Sequence, residues 1–305
     1  MNLSFAVDRS QWPAAIRQQR VALVTVSYDS VVDGVALTLN RLVAHLLRRG
    51  HEVLVICPRT PHHPVIVHPG TPVVRVPSLP LPIWSEYRLT AGLGRVGRAA
   101  LAAFRPTVIH IAVQDAMGHA AQRWARRRGI PSVCSHHTRY ERYLSFYRLG
   151  FAPIRAVYWW GMRRFHAHCA VTLPPSRSLA QDMEAKGIPR VRVWPRGVDR
   201  NLFSPHKRSN AWRSSIVSSD PTLPLLLLVS RLRWEKGLSE FARVVRLLES
   251  RGAHRHHVVI VGSGTARMDF ERLLPNATFL GILTGEALAV ACAWHEHGMC
   301  VDERG

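Results

Sequence analysis

Residues 225–237 read LLLLVSRLRWEKG. The apolar run Leu225–Val229 is far too short to cross a bilayer, and its length and continuity suit a strand buried on both faces. Ser230 ends the run, Arg231 and Lys236 follow, and Gly237 opens an apolar periodicity that predicts a helix over Leu238–Ser250. A buried strand that hands two cations to the loop before a helix suits a phosphate group. Open α/β sheets bind ligands at the carboxyl ends of their strands, and helix N-termini favour anions. The same pattern also describes a plain strand with a solvated loop, and only its surroundings decide between the two.

Downstream of this stretch the pattern predicts strand, helix, strand and helix over 258–261, 265–273, 278–280 and 285–294. Upstream the same grammar runs from a strand over 21–27 and a helix over 35–49 to a strand over 52–57. That βαβ unit should cross over right-handedly on a parallel sheet. Strands at Val73–Val76, Val108–Ile111, Ser132–Ser135, 170–172 and 191–194 continue the half, with helices over 89–104, 118–128 and 178–186 between them. Residues 139–168 are helical in pattern and dense in aromatics and arginines, as a core stripe with snorkelling cations is, although base stacking and a membrane interface also favour this mixture. Residues 200–222, with Pro205, His206, Lys207, Arg208 and paired serines, read as a linker. Two successive β/α halves imply an α/β protein of two Rossmann-like domains, 1–205 and 206–305, facing each other across a cleft.

Composition narrows the partners less than the net charge of +21 suggests. Of the 41 Lys and Arg residues only Lys186, Lys207 and Lys236 are lysines, which leaves 38 arginines spread along most of the chain. An anionic membrane, a phosphorylated substrate and a nucleic acid all remain compatible with that charge. At 47% hydrophobic residues the chain has ample material for real cores. Five widely spaced cysteines without a CxxC pair fit a reducing cytoplasm, and neither a signal peptide nor a transmembrane run is expected.

Three further places have the residue types for chemistry. Gly34, between the first strand and its helix, permits close backbone approach to a ligand. His136, His137 and Thr138 follow the strand Ser132–Ser135, where a histidine can donate to a substrate hydroxyl or simply cap a helix. The GSG at 262–264 also follows a strand and opens a helix, which a ligand cradle and an ordinary tight turn share. The histidine clusters fall at spacings that complete no zinc set with cysteine, so no metal is expected. Walker A, G-x-S-x-G, HExxH and GxGxxG motifs are absent from the sequence.

Taken in order, DGVALTLNRLVAHLLRRGHEV (33–53), VIHIAVQDAMGHAA (108–121), SHHTRYERYL (135–144), VRVWPRGVDRNLFSP (191–205), LVSRLRWEKGL (228–238) and ATFLGILTGEALA (277–289) resemble the GT-B glycosyltransferases of family 4. The resemblance is greatest to bacterial GDP-mannose-dependent mannosyltransferases and to sulfoquinovosyl or phosphatidylinositol sugar transferases. It implies a retaining enzyme that moves a hexose, mannose above all, from a nucleotide diphosphate sugar to a lipid or glycan acceptor. GDP-mannose or a UDP-sugar would be the donor, with no further cofactor and no metal. It implies that Gly34 borders the donor diphosphate, that His137 contacts the transferred sugar, and that Arg231 and Lys236 bind the diphosphate as the nucleotide departs. Gly262 would border the nucleoside, and Arg196 and Asp199 would lie in the cleft motif. A cytoplasmic enzyme with peripheral contact to an anionic membrane follows; a nucleic-acid partner does not.

After LTGEALAVACAW the chain departs from the family. The expected glutamate motif and the helix returning to the first domain are not found in HEHGMCVDERG. The second domain is therefore expected to be incomplete, with Leu225–Val229 poorly covered on one face. An inactive remnant, or a basic protein that binds membrane or RNA, stands as the alternative to a competent transferase.

Overall fold

The computed structural model describes residues 18–28, 34–61, 68–80, 88–137, 152–217, 220, 223–252 and 256–294. Its internal contacts divide the chain into two compact units, Met1–Arg196 and Gly197–Gly305.

In the first unit β1 (Arg20–Val24), β2 (Glu52–Pro58), β3 (Val73–Val76), β6 (Val108–Ile111), β7 (Ser132–Ser135) and β8 (Val171–Leu173) form one six-stranded sheet in the order β3-β2-β1-β6-β7-β8. All five pairings are parallel. A short antiparallel ribbon joins β4 (Leu79–Pro80) to β5 (Arg88–Leu89). The helices are α1 (Gly34–Arg48), α2 (Gly94–Phe104), α3 (Ala116–Arg126), α4 (Ala152–His166) and α5 (Arg177–Ala185). Strand side chains alternate between faces, and both faces are apolar. Ala22, Val24, Leu54, Ile56, Ile109 and Ile111 pack with Leu101 of α2 and Met117 of α3. Leu23, Val53 and Val55 pack with Leu39 and Val43 of α1. That double burial is why these strands read as unbroken hydrophobic runs. Each fully buried Leu or Ile contributes about 1.5–3 kcal/mol relative to exposure.

The chain runs outward from β1 toward β3 on one side and from β6 toward β8 on the other. The carboxyl ends of β1 and β6 therefore form a topological switch point, where an open sheet leaves a crevice. The turn from β6 into α3 is tight. Asp115 caps α3 by accepting from the Gly118 amide at 2.9 Å, and a side chain at Gly118 would run into the Val113 carbonyl.

The second unit holds a parallel three-stranded sheet, β11-β10-β9, from β9 (Leu225–Val229), β10 (His257–Val261) and β11 (Thr278–Gly281). Its helices are α6 (Asn210–Ile216), α7 (Leu238–Ser250), α8 (Arg267–Leu273) and α9 (Gly285–Ala293). Leu228, Val258 and Ile260 face Leu238, Phe241 and Val245 of α7 and Phe270 of α8. Leu225, Leu227, Val259 and Val261 face the opposite way, onto Trp212 and Ile216 of α6 and Leu288 and Ala291 of α9.

Several local expectations are corrected. β9 is not bare on one face, because α6 and α9 close over it and leave Leu225 and Leu227 buried. The supposed linker contains α6, capped by Ser209, whose hydroxyl accepts from the Trp212 amide at 3.3 Å. Residues 191–194 form no strand. Val191 makes an isolated bridge to Thr172, and Arg192 and Trp194 donate to the Thr172 and Pro174 carbonyls at 2.8 Å. The second helix begins at Gly94 rather than residue 89. Of the aromatic stretch 139–168, residues 139–151 lie outside the described residues. In the remainder Trp159, Met162 and Phe165 are buried, while Val157 and Trp160 are exposed.

Candidate functional site

In the first unit the strand ends bring together three residues far apart in sequence. Gly34 begins α1, whose N-terminal amides and dipole favour an anion. The Arg196 guanidinium lies directly over it: a Cβ at Gly34 would sit 2.9 Å from Arg196 Nη1. A side chain at Gly34 would push the flexible end of Arg196 aside. Arg196 Nη2 also donates, at 3.5 Å, to the carbonyl of His137, which follows β7.

The His137 ring stands edge-on to Trp194, their centroids 5.9 Å apart. Both ring nitrogens are buried and hydrogen-bond to no group among the described residues. Burial, then the Arg196 charge, then His110 and His136 lower its pKa to about 3. The imidazole is therefore neutral near pH 7, with one N–H to donate and one lone pair to accept. His110, in β6, is lowered to about 4 by burial and lies 2.8 Å from Ser135 Oγ through Nε2. Its ring packs against the same Trp194 at 5.7 Å. Gln114, in the loop between β6 and α3, donates to the Ser135 carbonyl at 3.0 Å, which steadies the strand end that presents His137.

Asp199 belongs to the second unit. Its carboxylate accepts from the Asn201 and Leu202 amides at 3.0 and 3.1 Å, so it closes its own turn. Further along, the loop after β9 is laced to the loop after β10. The Ser230 amide donates to the Val261 carbonyl and the Leu232 amide to the Ser263 carbonyl, at 3.0 and 2.9 Å. The backbones come so close that a Cβ on Gly262 would overlap the Ser230 carbonyl, and one on Gly264 the Leu232 carbonyl. Gly262 also holds φ at 140°, where a side chain is strained. This lacing fixes the loop on which Arg231 and Lys236 sit, both half-buried. Lys236 ends a single 3-10 turn, Trp234–Lys236, and Gly237 at φ 72° turns the chain into α7.

Of the residues expected from sequence, Gly34, His137 and Arg196 thus converge in the first unit, and Arg231, Lys236 and Gly262 share adjacent strand ends in the second. His110 belongs beside His137, and so do Trp194 and Ser135, which nothing in their local sequence singles out. A histidine inside the apolar run VIHI is the one signal that was there to notice. One group of side chains among the described residues has the donors to hold a metal ion: Cys134, His166 and Cys169, all buried. It is a separate cluster, which no sequence spacing announces. Among the described residues no helix is long and apolar enough to cross a membrane.

Comparison with known proteins adds to this geometry. Residues 32–202 match Glycosyltransferase Family 4. A GDP-mannose-dependent alpha-mannosyltransferase of Mycolicibacterium smegmatis is 37% identical over 277 residues, covering 90% of this chain and 71% of that protein. A sulfoquinovosyl transferase of Arabidopsis thaliana is 29% identical over 291 residues, covering 91% of this chain and 54% of its own length. Among solved structures, WaaG, a glycosyltransferase involved in lipopolysaccharide biosynthesis, superposes with a TM-score of 0.62 at 15% identity, covering 91% and 74% of the two chains.

Proposed function

Since this chain belongs to glycosyltransferase family 4 and has the GT-B fold, we propose that it transfers mannose from GDP-mannose to a lipid or glycan acceptor, with retention at the anomeric carbon. The observation that carries the reading is the convergence of Gly34, His137 and Arg196 at the carboxyl ends of one sheet. An anion-favouring helix start, a cation and a neutral buried imidazole are what a sugar diphosphate requires.

In this reading the α1 amides beside Gly34 and the Arg196 guanidinium take phosphate oxygens. His137 donates a hydrogen bond to a hydroxyl of the transferred hexose, and its low pKa keeps it neutral while it does so. Arg231 and Lys236 bind the diphosphate, where negative charge grows as the nucleotide leaves, so their attraction is greatest in the transition state. The backbone at Gly262 borders the nucleoside. Asp199 shapes its turn through Oδ1 and, in this reading, belongs to the donor-binding set. The nucleotide sugar is a substrate, and the reading assigns no cofactor or metal to the transfer step.

The relatives' names favour a lipid acceptor: they include phosphatidylinositol dimannoside and diacylglycerol sugar transferases. Exposed Trp160 and Val157 on α4, next to exposed Arg155, Arg163 and Arg164, would suit peripheral contact with an anionic bilayer on the cytoplasmic side.

The test is calorimetric titration with GDP and UDP, followed by transfer of labelled mannose to phosphatidylinositol and diacylglycerol acceptors. Arg231→Ala should weaken GDP binding at least tenfold, by the loss of about 1.4 kcal/mol or more. His137→Ala should lower kcat by about 10²–10³ while GDP affinity holds. Equal GDP binding by the wild type and Arg231→Ala would remove Arg231 from the donor site. RNA binding with a steep salt dependence and no competition from GDP-mannose would favour the non-catalytic alternative.

A further inference from the structure

The interior of the first unit carries a second chemical cluster that the transfer reaction does not use. Cys134 lies on β7, His166 ends α4, and Cys169 follows in the short loop to β8. All three are buried, and their donor atoms, two sulfurs and one imidazole nitrogen, lie within 4.8 Å of one another. In a tetrahedral zinc site with Zn–S near 2.3 Å and Zn–N near 2.0 Å, ligand atoms stand roughly 3.5–3.8 Å apart. The widest pair of donor atoms draws in by up to about 1 Å to reach that spacing. We infer that Cys134, His166 and Cys169 form a buried three-residue binding site for a zinc ion.

Independent features of the same residues point to a ligand. His166 is fully buried, yet its Nε2 hydrogen-bonds to no group among the described residues. A buried polar atom left in that condition costs about 1–3 kcal/mol. Its other nitrogen, Nδ1, is held 2.9 Å from Thr172 Oγ1. One nitrogen fixed by a neighbouring oxygen and the other left open is how metal-ligating histidines are oriented. Each sulfur also accepts an amide hydrogen, Cys134 from Gln114 Nε2 at 3.0 Å and Cys169 from Gln122 Nε2 at 3.1 Å. Such N–H···S bonds stabilise a thiolate more than a thiol.

Donor type and charge together favour zinc over copper(I). Two thiolates, a neutral imidazole and Zn²⁺ sum to zero, whereas Cu⁺ on the same ligands would leave one negative charge in the core, at large desolvation cost. Binding is balanced by loss of one proton from each thiol to solvent. A solvent-derived ligand completes the tetrahedron. The site is also braced from outside: Arg190, at φ 52°, donates to the Cys169 and Ala167 carbonyls at 2.9 and 2.7 Å and so sets the loop carrying Cys169. Zinc here would pin the end of α4 to the strand that leads into His137, and it would do so whatever the chain transfers.

The test is on the full chain. After purification under reducing conditions and removal of loosely held metal, zinc should be found in equimolar amount. Cobalt titration of the stripped protein should develop thiolate-to-cobalt charge-transfer absorption, with two protons released per ion in weak buffer. Cys134→Ala and Cys169→Ala should abolish the absorption, Cys292→Ser should leave it, and Thr172→Val should weaken metal affinity about 10–100-fold. If the cysteine variants do not fold, the spectrum and proton count of the intact chain decide. The inference is overturned if the intact chain gives no thiolate–cobalt band, if both cysteine variants retain it, or if mass spectrometry finds Cys134 and Cys169 joined as a disulfide in the reduced preparation.

Discussion

The strand ends of the first unit are furnished with side chains, His137, His110, Trp194 and Arg196 among them, while those of the second are closed by backbone against backbone at Gly262 and Gly264. The sheets behind them differ in the same direction. Six strands bury imidazoles deeply enough to keep them neutral, whereas three strands depend on α6 and α9 to complete their second face. A large sheet can accommodate functional polar groups in its interior. A small one does better to keep its cations on a loop whose shape the backbone fixes.

The comparison predicts that the second unit is most sensitive to backbone crowding. Gly262→Val should have the largest effect, destabilising by more than about 3 kcal/mol, because a Cβ there overlaps the Ser230 carbonyl. Urea unfolding read by circular dichroism measures it; a loss below 1 kcal/mol would mean that the loops part easily and that the lacing does not hold them. Next comes Trp294→Ala. Its indole donates to the Ser209 carbonyl at 3.0 Å and lies 4.7 Å from the Arg213 guanidinium, so it joins α9 to α6. Truncation should cost about 3 kcal/mol, and limited proteolysis should then cut the second unit before the first.

The first unit should instead be sensitive to acid. His110 and His137 titrate near 4 and 3 when folded, against 6.5 for the ordinary side chain. Below pH 6.5 the unfolded chain therefore binds more protons than the folded one, and stability falls as pH drops toward those lower values. Each histidine contributes at most about 1.4 kcal/mol per pH unit to that slope. His110→Gln should flatten the slope in a series of denaturant melts between pH 4 and 6.5. An unchanged slope would place the acid sensitivity elsewhere. The smallest effect has the opposite sign: Gly161→Ala, in mid-helix on α4 with open space at the Cβ position, should stabilise by about 0.5–1 kcal/mol.

Legibility in the sequence followed burial. β9 was readable to the residue as a continuous apolar run, and β6, β7 and β3 as short β-branched or apolar segments between helical patterns. α6 was not, since its seven residues show a single i,i+4 apolar pair, Trp212 and Ile216, among serines and an arginine. Residues 191–194 alternate as a strand does but make too few ladder bonds along β8 to become one. At the site, the glycines and cations stood out because their chemistry follows strand ends directly. The neighbours of His137 did not, because β6, β7 and residue 194 meet only through the sheet. Cys134, His166 and Cys169 were hidden for the same reason: β7 is far in sequence from the α4–β8 turn, and pairing β7 with β8 closes that distance.

The strand order also sets a timetable for synthesis. β1 pairs with β2 through a local crossover, but its other edge is meant for β6, which ends at Ile111. At roughly 5–20 residues per second, the chain between Val24 and Ile111 takes roughly 4–17 s to emerge. Throughout that interval β1, four of whose five residues are buried in the finished sheet, offers an unpaired edge to whatever is nearby. Its protection then falls to chaperones or to fast docking of α1, and expression at lower chain concentration should raise the soluble yield more than any change to the finished fold.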